Sequence, residues 1–159
     1  MLVLSLVVSG CAFTTVSPTE SIPQSTTVIT KPAQELPVAA TDDDVAGLVR
    51  TDEQGAVQFS VTPLNLVNPG ETLDFEVSMS THSVELGMDL AKLATLSTDN
   101  GQKVVARAWD APGGGHHVAG KLLFPSSVDG KLLLKGATKV TLSLRDIDAP
   151  ERVFTWDLK

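Results

Sequence analysis

One cysteine, Cys11, stands in the whole 159-residue chain, so no intramolecular disulfide can form. The apolar run at the N terminus holds about eight residues, where a helix crossing a bilayer needs about twenty. Basic residues are in deficit, 12 Lys and Arg against 19 Asp and Glu, for a formal charge of −7. Nothing forms the basic stripe that a phosphate backbone demands, which argues against nucleic acid as a partner. Catalytic signatures are missing too: there is no Gly-x-Ser-x-Gly elbow, phosphate loop, His-Glu-x-x-His or dinucleotide fingerprint. Ser83 beside His82 is not a catalytic pair, because neighbours in sequence rarely face each other. The chain reads as a protein without enzymatic activity.

What is present divides into three parts. Met1 to Gly10 is an apolar run ending in small residues, of the length of a signal-peptide core. Val8-Ser9-Gly10-Cys11 resembles the bacterial lipobox, in which small residues precede a cysteine that becomes the lipid-bearing first residue of the mature chain. The resemblance implies cleavage after Gly10, lipidation of Cys11 and a membrane-lipid partner held through it. Several acyl chains, each giving about 0.8 kcal/mol per buried CH₂, anchor durably where one would not. Ala12, rather than Asp, follows the cysteine, which by the lipoprotein rule implies the outer membrane in a diderm cell. No Lys or Arg precedes the apolar run, a departure from the signal-peptide pattern; the rival reading is a buried N-terminal strand with an ordinary core cysteine.

Residues 11–54 read as a tether. Ala12 to Thr41 is rich in Ser, Thr and Pro and keeps no helical or alternating period. Proline denies such a segment regular hydrogen bonding, and its polar side chains offer no core, so an extended, disordered spacer is expected. The acidity gathers here: between Ala12 and Gln54 stand seven acids and two bases. Asp42-Asp43-Asp44 can be a calcium ligand set, though a solvated charge run is the commoner use of such a triplet. Val45 to Arg50 either pairs as a short edge strand or stays with the tether.

From Gly55 to Lys159 the pattern changes to period two. Val57–Val61, Leu73–Met79, Val140–Leu144 and Phe154–Leu158 alternate apolar with polar residues. Alternation places one face in a core and the other in water, as antiparallel strands require. Weaker strand signals lie at Lys103–Ala108, Val118–Phe124 and Lys131–Leu134, with turn residues at Asn68–Gly70, Asp99–Gly101, Pro112–Gly115, Asp129–Gly130 and Asp148–Pro150. Asp89–Leu96 fits either a helical turn N-capped by Asp89 or a strand. About seven strands in this length predict an all-β, immunoglobulin-like antiparallel sandwich, in which Trp109 and Trp156 pack without a disulfide.

The three histidines carry the only site signal. His82 lies in Ser80-Thr81-His82-Ser83, and His116-His117 follow Gly113-Gly114-Gly115. Imidazole suits Zn or Cu, and His82 with His116 or His117 can meet at one end of a sandwich, Asp89 or Asp110 completing the set. Met79 or Met88 would favour Cu(I). Against this, adjacent strand residues point to opposite faces, so His116 and His117 would not share one metal. The structural reading is that His82 and His117 cap a turn while the glycines supply positive φ. Asp74 and Glu76 read as surface carboxylates of one strand.

Phe75-Glu76-Val77, Thr81-His82-Ser83-Val84, Asp89-Leu90, Trp109-Asp110, Gly114-Gly115-His116-His117 and Phe154–Leu158 resemble a group of uncharacterised exported bacterial proteins, over about Val61 to Leu158. The resemblance implies a shared small β domain with histidines at equivalent places, and no particular activity. The expectation is thus a lipid-anchored, extracytoplasmic module that binds an envelope protein or a small ligand, with metal binding as the alternative.

Overall fold

A computed structural model describes residues 47–158. The signal segment, Cys11, the Ser/Thr/Pro-rich tether up to residue 46 and the Asp42–Asp44 triplet lie outside the described residues. The strands are β1 (Arg50–Asp52), β2 (Val57–Pro63), β3 (Thr72–Thr81), β4 (Ala94–Thr98), β5 (Lys103–Val105), β6 (Ala108–Asp110), β7 (His117–Pro125), β8 (Ser127–Val128), β9 (Lys131–Leu132), β10 (Lys139–Arg145) and β11 (Glu151–Asp157). A 3₁₀ turn at Leu90–Lys92 is the only helical piece among the described residues.

Two antiparallel sheets face each other, in the orders β1-β2-β3-β7-β6 and β11-β10-β4-β5, with β8-β9 a separate hairpin. The quartet β2-β3-β7-β6 repeats the A-B-E-D sheet of an immunoglobulin domain. Strands β4, β10 and β11 take the places of C, F and G, with β5 added beyond β4. The fold is therefore an all-β, immunoglobulin-like sandwich.

The alternation read from the sequence becomes the core. Leu73, Phe75, Val77 and Met79 of β3 are buried while Glu76 and Ser78 face out. Phe59, Phe124, Leu142, Leu144, Phe154 and Trp156 complete the interior from both sheets. Phe75 meets the edge of Phe124 at 5.7 Å between centroids and tilts against Trp156 at 5.4 Å. Fully burying a large apolar side chain contributes about 1.5–3 kcal/mol, so this aromatic group helps join the two sheets without a disulfide. Trp156 is buried and its indole N–H donates to the Leu48 carbonyl. Trp109 is only half-buried, at the rim of the core.

Four local expectations change. The Lys103–Ala108 segment is two strands, not one: Ala106 N–H donates to Ala94 O and Arg107 N–H to Leu123 O, so consecutive residues serve opposite sheets. Asp89–Leu96 is a capped turn followed by a strand, because Leu90 closes the sandwich end while Ala94 onward pairs with β10. Lys131–Leu134 pairs only over Lys131–Leu132, after which Leu133 turns inward and is fully buried. Folded structure also begins upstream of Gly55, since β1 pairs with β2 in the register Arg50↔Val61 to Asp52↔Phe59.

That early start is held by one buried cation. Arg152 of β11 is fully inaccessible and lies over the Phe59 ring at 4.7 Å. It donates to the carbonyls of Ile147 and Gln54 and pairs with the Asp52 carboxylate. Arg50 adds a hydrogen bond from Nε to Thr155 O, at 3.0 Å. Segment 50–54 is thereby fastened to β11, which the sequence pattern alone did not indicate.

Candidate functional site

Four connections gather at one end of the sandwich: residues 53–56, 82–93, 111–116 and 146–150. Asp148 accepts from Ala56 N–H, and Leu86 N–H donates to Gly115 O at 3.0 Å. The two histidine-bearing motifs belong to this end and are bonded to each other. Thr81 N–H donates to His116 O at 3.0 Å, and Ser80 stands opposite His117 in the β3–β7 ladder.

The capping expected of His82 and His117 is done by other side chains. Thr81 Oγ1 accepts from Ser83 N–H at 3.3 Å, and Glu85 Oε1 accepts from Gly115 N–H at 2.6 Å. Gly114 and Gly115 sit at φ of 74° and 103°, which favours glycine, and a Cβ on Gly114 would come within 2.8 Å of the Glu85 carboxylate. Sequence reading overlooked Glu85; its place three residues after His82, facing a glycine run, was the available signal.

Of the residues weighed as metal ligands, His82, Asp89, Asp110, His116 and His117 are exposed, whereas Met79 is buried in the core and Met88 is half-buried. His82 borders a depression of about 250 Å³ with Glu53, Gln58 and Ser80. Asp89 borders a different one. Its carboxylate is already used, accepting from Ala91 N–H at 3.1 Å as the cap of the 3₁₀ turn and pairing with Lys92 at 3.5 Å. Among the described residues, no group of three or more His, Cys, Asp or Glu side chains is placed to hold a metal ion. Asp74 differs from its surface reading: it is half-buried, and its Oδ1 has no hydrogen-bond partner. Glu76 is exposed as expected.

The larger concavity was not foreseen. It is a cleft of about 400 Å³ between the 86–91 segment and the edge strand β6, closed at one side by Pro112–Gly114. Its size falls in the range of small-molecule sites. Leu86, Met88 and Pro112 give it apolar walls, and Arg107 and Trp109 reach it from β6 and the residue before it. Arg107 is exposed and, among the described residues, has neither an ion pair nor a side-chain hydrogen bond. Gly120 of β7 sets this geometry from behind, because a Cβ there would overlap Ala111 and the Asp110 carbonyl. In the sequence, Trp109 followed within four residues by Pro112 and Gly113 is the trace of this site, although the tryptophan alone suggests packing.

The chain matches no family model, no curated protein and no solved structure with which it was compared.

Proposed function

We propose that this chain is an extracytoplasmic lipoprotein, anchored through Cys11, whose sandwich is a binding module for a small ligand. The observation that carries the binding reading is the cleft of about 400 Å³ at the loop end, with Trp109 half-buried in its wall. Aromatic side chains left partly open beside a concavity offer large contact area at low entropic cost. The immunoglobulin-like sandwich suits such a role, since its loops and edges carry variable sites on a rigid core. The anchor rests on Val8-Ser9-Gly10-Cys11 and the spacer-like composition that follows.

Binding is tested by ligand-observed NMR screening of a metabolite-sized library on the full chain and on Trp109→Ala. The reading expects ligands whose signals lose their protein dependence in the variant. Hits indifferent to Trp109, or none at all, would remove the cleft from consideration. Anchoring is tested by metabolic labelling with an alkyne fatty acid, which Cys11→Ala should abolish.

A further inference from the structure

We infer that the cleft takes a small ligand with a carboxylate on an apolar or aromatic body, Arg107 holding the carboxylate and Trp109 the body. This rests on reading the cleft as a binding site. It adds the ligand's charge and shape.

The charge comes from what is already paired. Of the four arginines described, Arg152 is bonded to Asp52, Arg145 to Glu151 and Arg50 to the Thr155, Gly47 and Val49 carbonyls. Arg107 alone has no such partner among the described residues, in a chain whose net charge is −7. The carboxylate that lines the same cleft, Asp89, is committed to the Ala91 N–H and to Lys92. A cationic ligand would therefore compete with Lys92 and the Ala91 N–H for the Asp89 carboxylate, whereas an anion finds a guanidinium with its donors open. Guanidinium is planar and matches a carboxylate with two parallel hydrogen bonds.

The shape comes from spacing. Arg107, at the bend before β6, and Trp109, within β6, are two residues apart, which keeps their Cα atoms within about 7 Å. That separation suits a carboxylate carried two or three bonds from a ring. Leu86, Met88 and Pro112 supply the remaining apolar contact.

The probes are 3-phenylpropionate and its uncharged analogue 3-phenylpropionamide, titrated into ¹⁵N-labelled full chain carrying Cys11→Ser. The chain has two tryptophans, so two indole N–H signals report separately on the cleft and, through Trp156, on the intact core. The carboxylate is expected to move the Trp109 signal, leave that of Trp156 in place, and bind about fivefold to tenfold tighter than the amide. Arg107→Gln should bring the two affinities together while both indole signals remain those of a folded domain. Equal affinities in the unaltered protein, or a preference unchanged in Arg107→Gln, would overturn the anion assignment and leave the cleft as a site for neutral ligands. If neither probe moves the Trp109 signal at tens of millimolar, both the assignment and the cleft reading fall.

Discussion

Replacing Asp52 with alanine strands a guanidinium inside the sandwich. Arg152 is fully inaccessible, and the Asp52 side chain, 14% exposed, is its one anionic partner among the described residues. Removing one member of a buried pair costs about 3–5 kcal/mol, because the remaining charge is uncompensated. Two features here favour the lower end. The Ile147 and Gln54 carbonyls still accept from Arg152, and the Phe59 face still lies beneath it. The expected loss is therefore about 3 kcal/mol, a large part of the roughly 5–15 kcal/mol that holds a domain folded. With a urea slope of about 1–2 kcal/mol/M, the unfolding midpoint should fall by about 1.5–3 M, read by the fluorescence of buried Trp156. A loss below about 1 kcal/mol would refute the view that this pair fastens β1 to the sandwich.

The same pair sets a pH dependence. Burial pushes the Asp52 carboxyl upward, but the Gln54 side-chain amide and backbone N–H and the charge of Arg152 together outweigh it, so the pKa lies below its ordinary value. A carboxyl whose folded pKa is depressed stabilises fully above its unfolded value, about 3.9, and loses that contribution as pH falls through the folded value. The gap in stability between the unaltered protein and Asp52→Ala should therefore be widest near neutral pH and narrow on acidification below about pH 4. A gap that stays constant to pH 2–3, or widens there, would mean that Asp52 does not act through its charge.

Gly120→Ala should cost about 2 kcal/mol and displace the Trp109 indole resonance, since the new methyl meets the Asp110 carbonyl and Ala111 rather than a yielding side-chain tip; an unchanged urea midpoint would contradict the close approach of β7 and the 110–111 segment. Glu85→Ala should cost about 1 kcal/mol and Glu85→Gln much less, because the amide oxygen can still accept from Gly115 N–H. Calorimetric titration with Zn²⁺ should give no stoichiometric heat that disappears in His82→Ala/His116→Ala, as His82 and Asp89 border separate depressions and a zinc site needs about four converging ligands. Such a heat would reinstate the histidines as a metal centre.

The sandwich was legible because its signal is local. Leu73, Phe75, Val77 and Met79 alternate within one strand, and the glycines and prolines between strands mark turns whatever surrounds them. The clamp on β1 was not legible, because Asp52 and Arg152 are 100 residues apart and each reads alone as a surface charge. The histidines stand out in the sequence for a related reason. A residue type known for ligation says nothing of where neighbouring side chains turn, and here the backbone bonds of Thr81, Leu86 and Gly115 organise the motifs. Arg107 was hidden inside what reads as one continuous strand, Lys103–Ala108, with Trp109 just beyond its end, so their place at an edge became visible only with the sheet order.

The cleft follows from that change of sheet. Had Lys103–Ala108 continued as one strand, Arg107 would have extended β5 along β4. Instead Ala106 closes its hydrogen bond on Ala94, Arg107 opens one on Leu123, and the chain crosses the open side of the sandwich between them. Such a crossing leaves a gap that neither sheet fills, and the 3₁₀ turn capped by Asp89 roofs it without closing it. Strand β6 is the outer strand of its sheet, yet it is only three residues long. Short edge strands offer little template for pairing with other chains. A brief edge carrying an arginine and a tryptophan beside a capped turn can thus present side chains to a ligand while avoiding strand addition. This favours small-ligand capture over β-augmentation as the use of this edge.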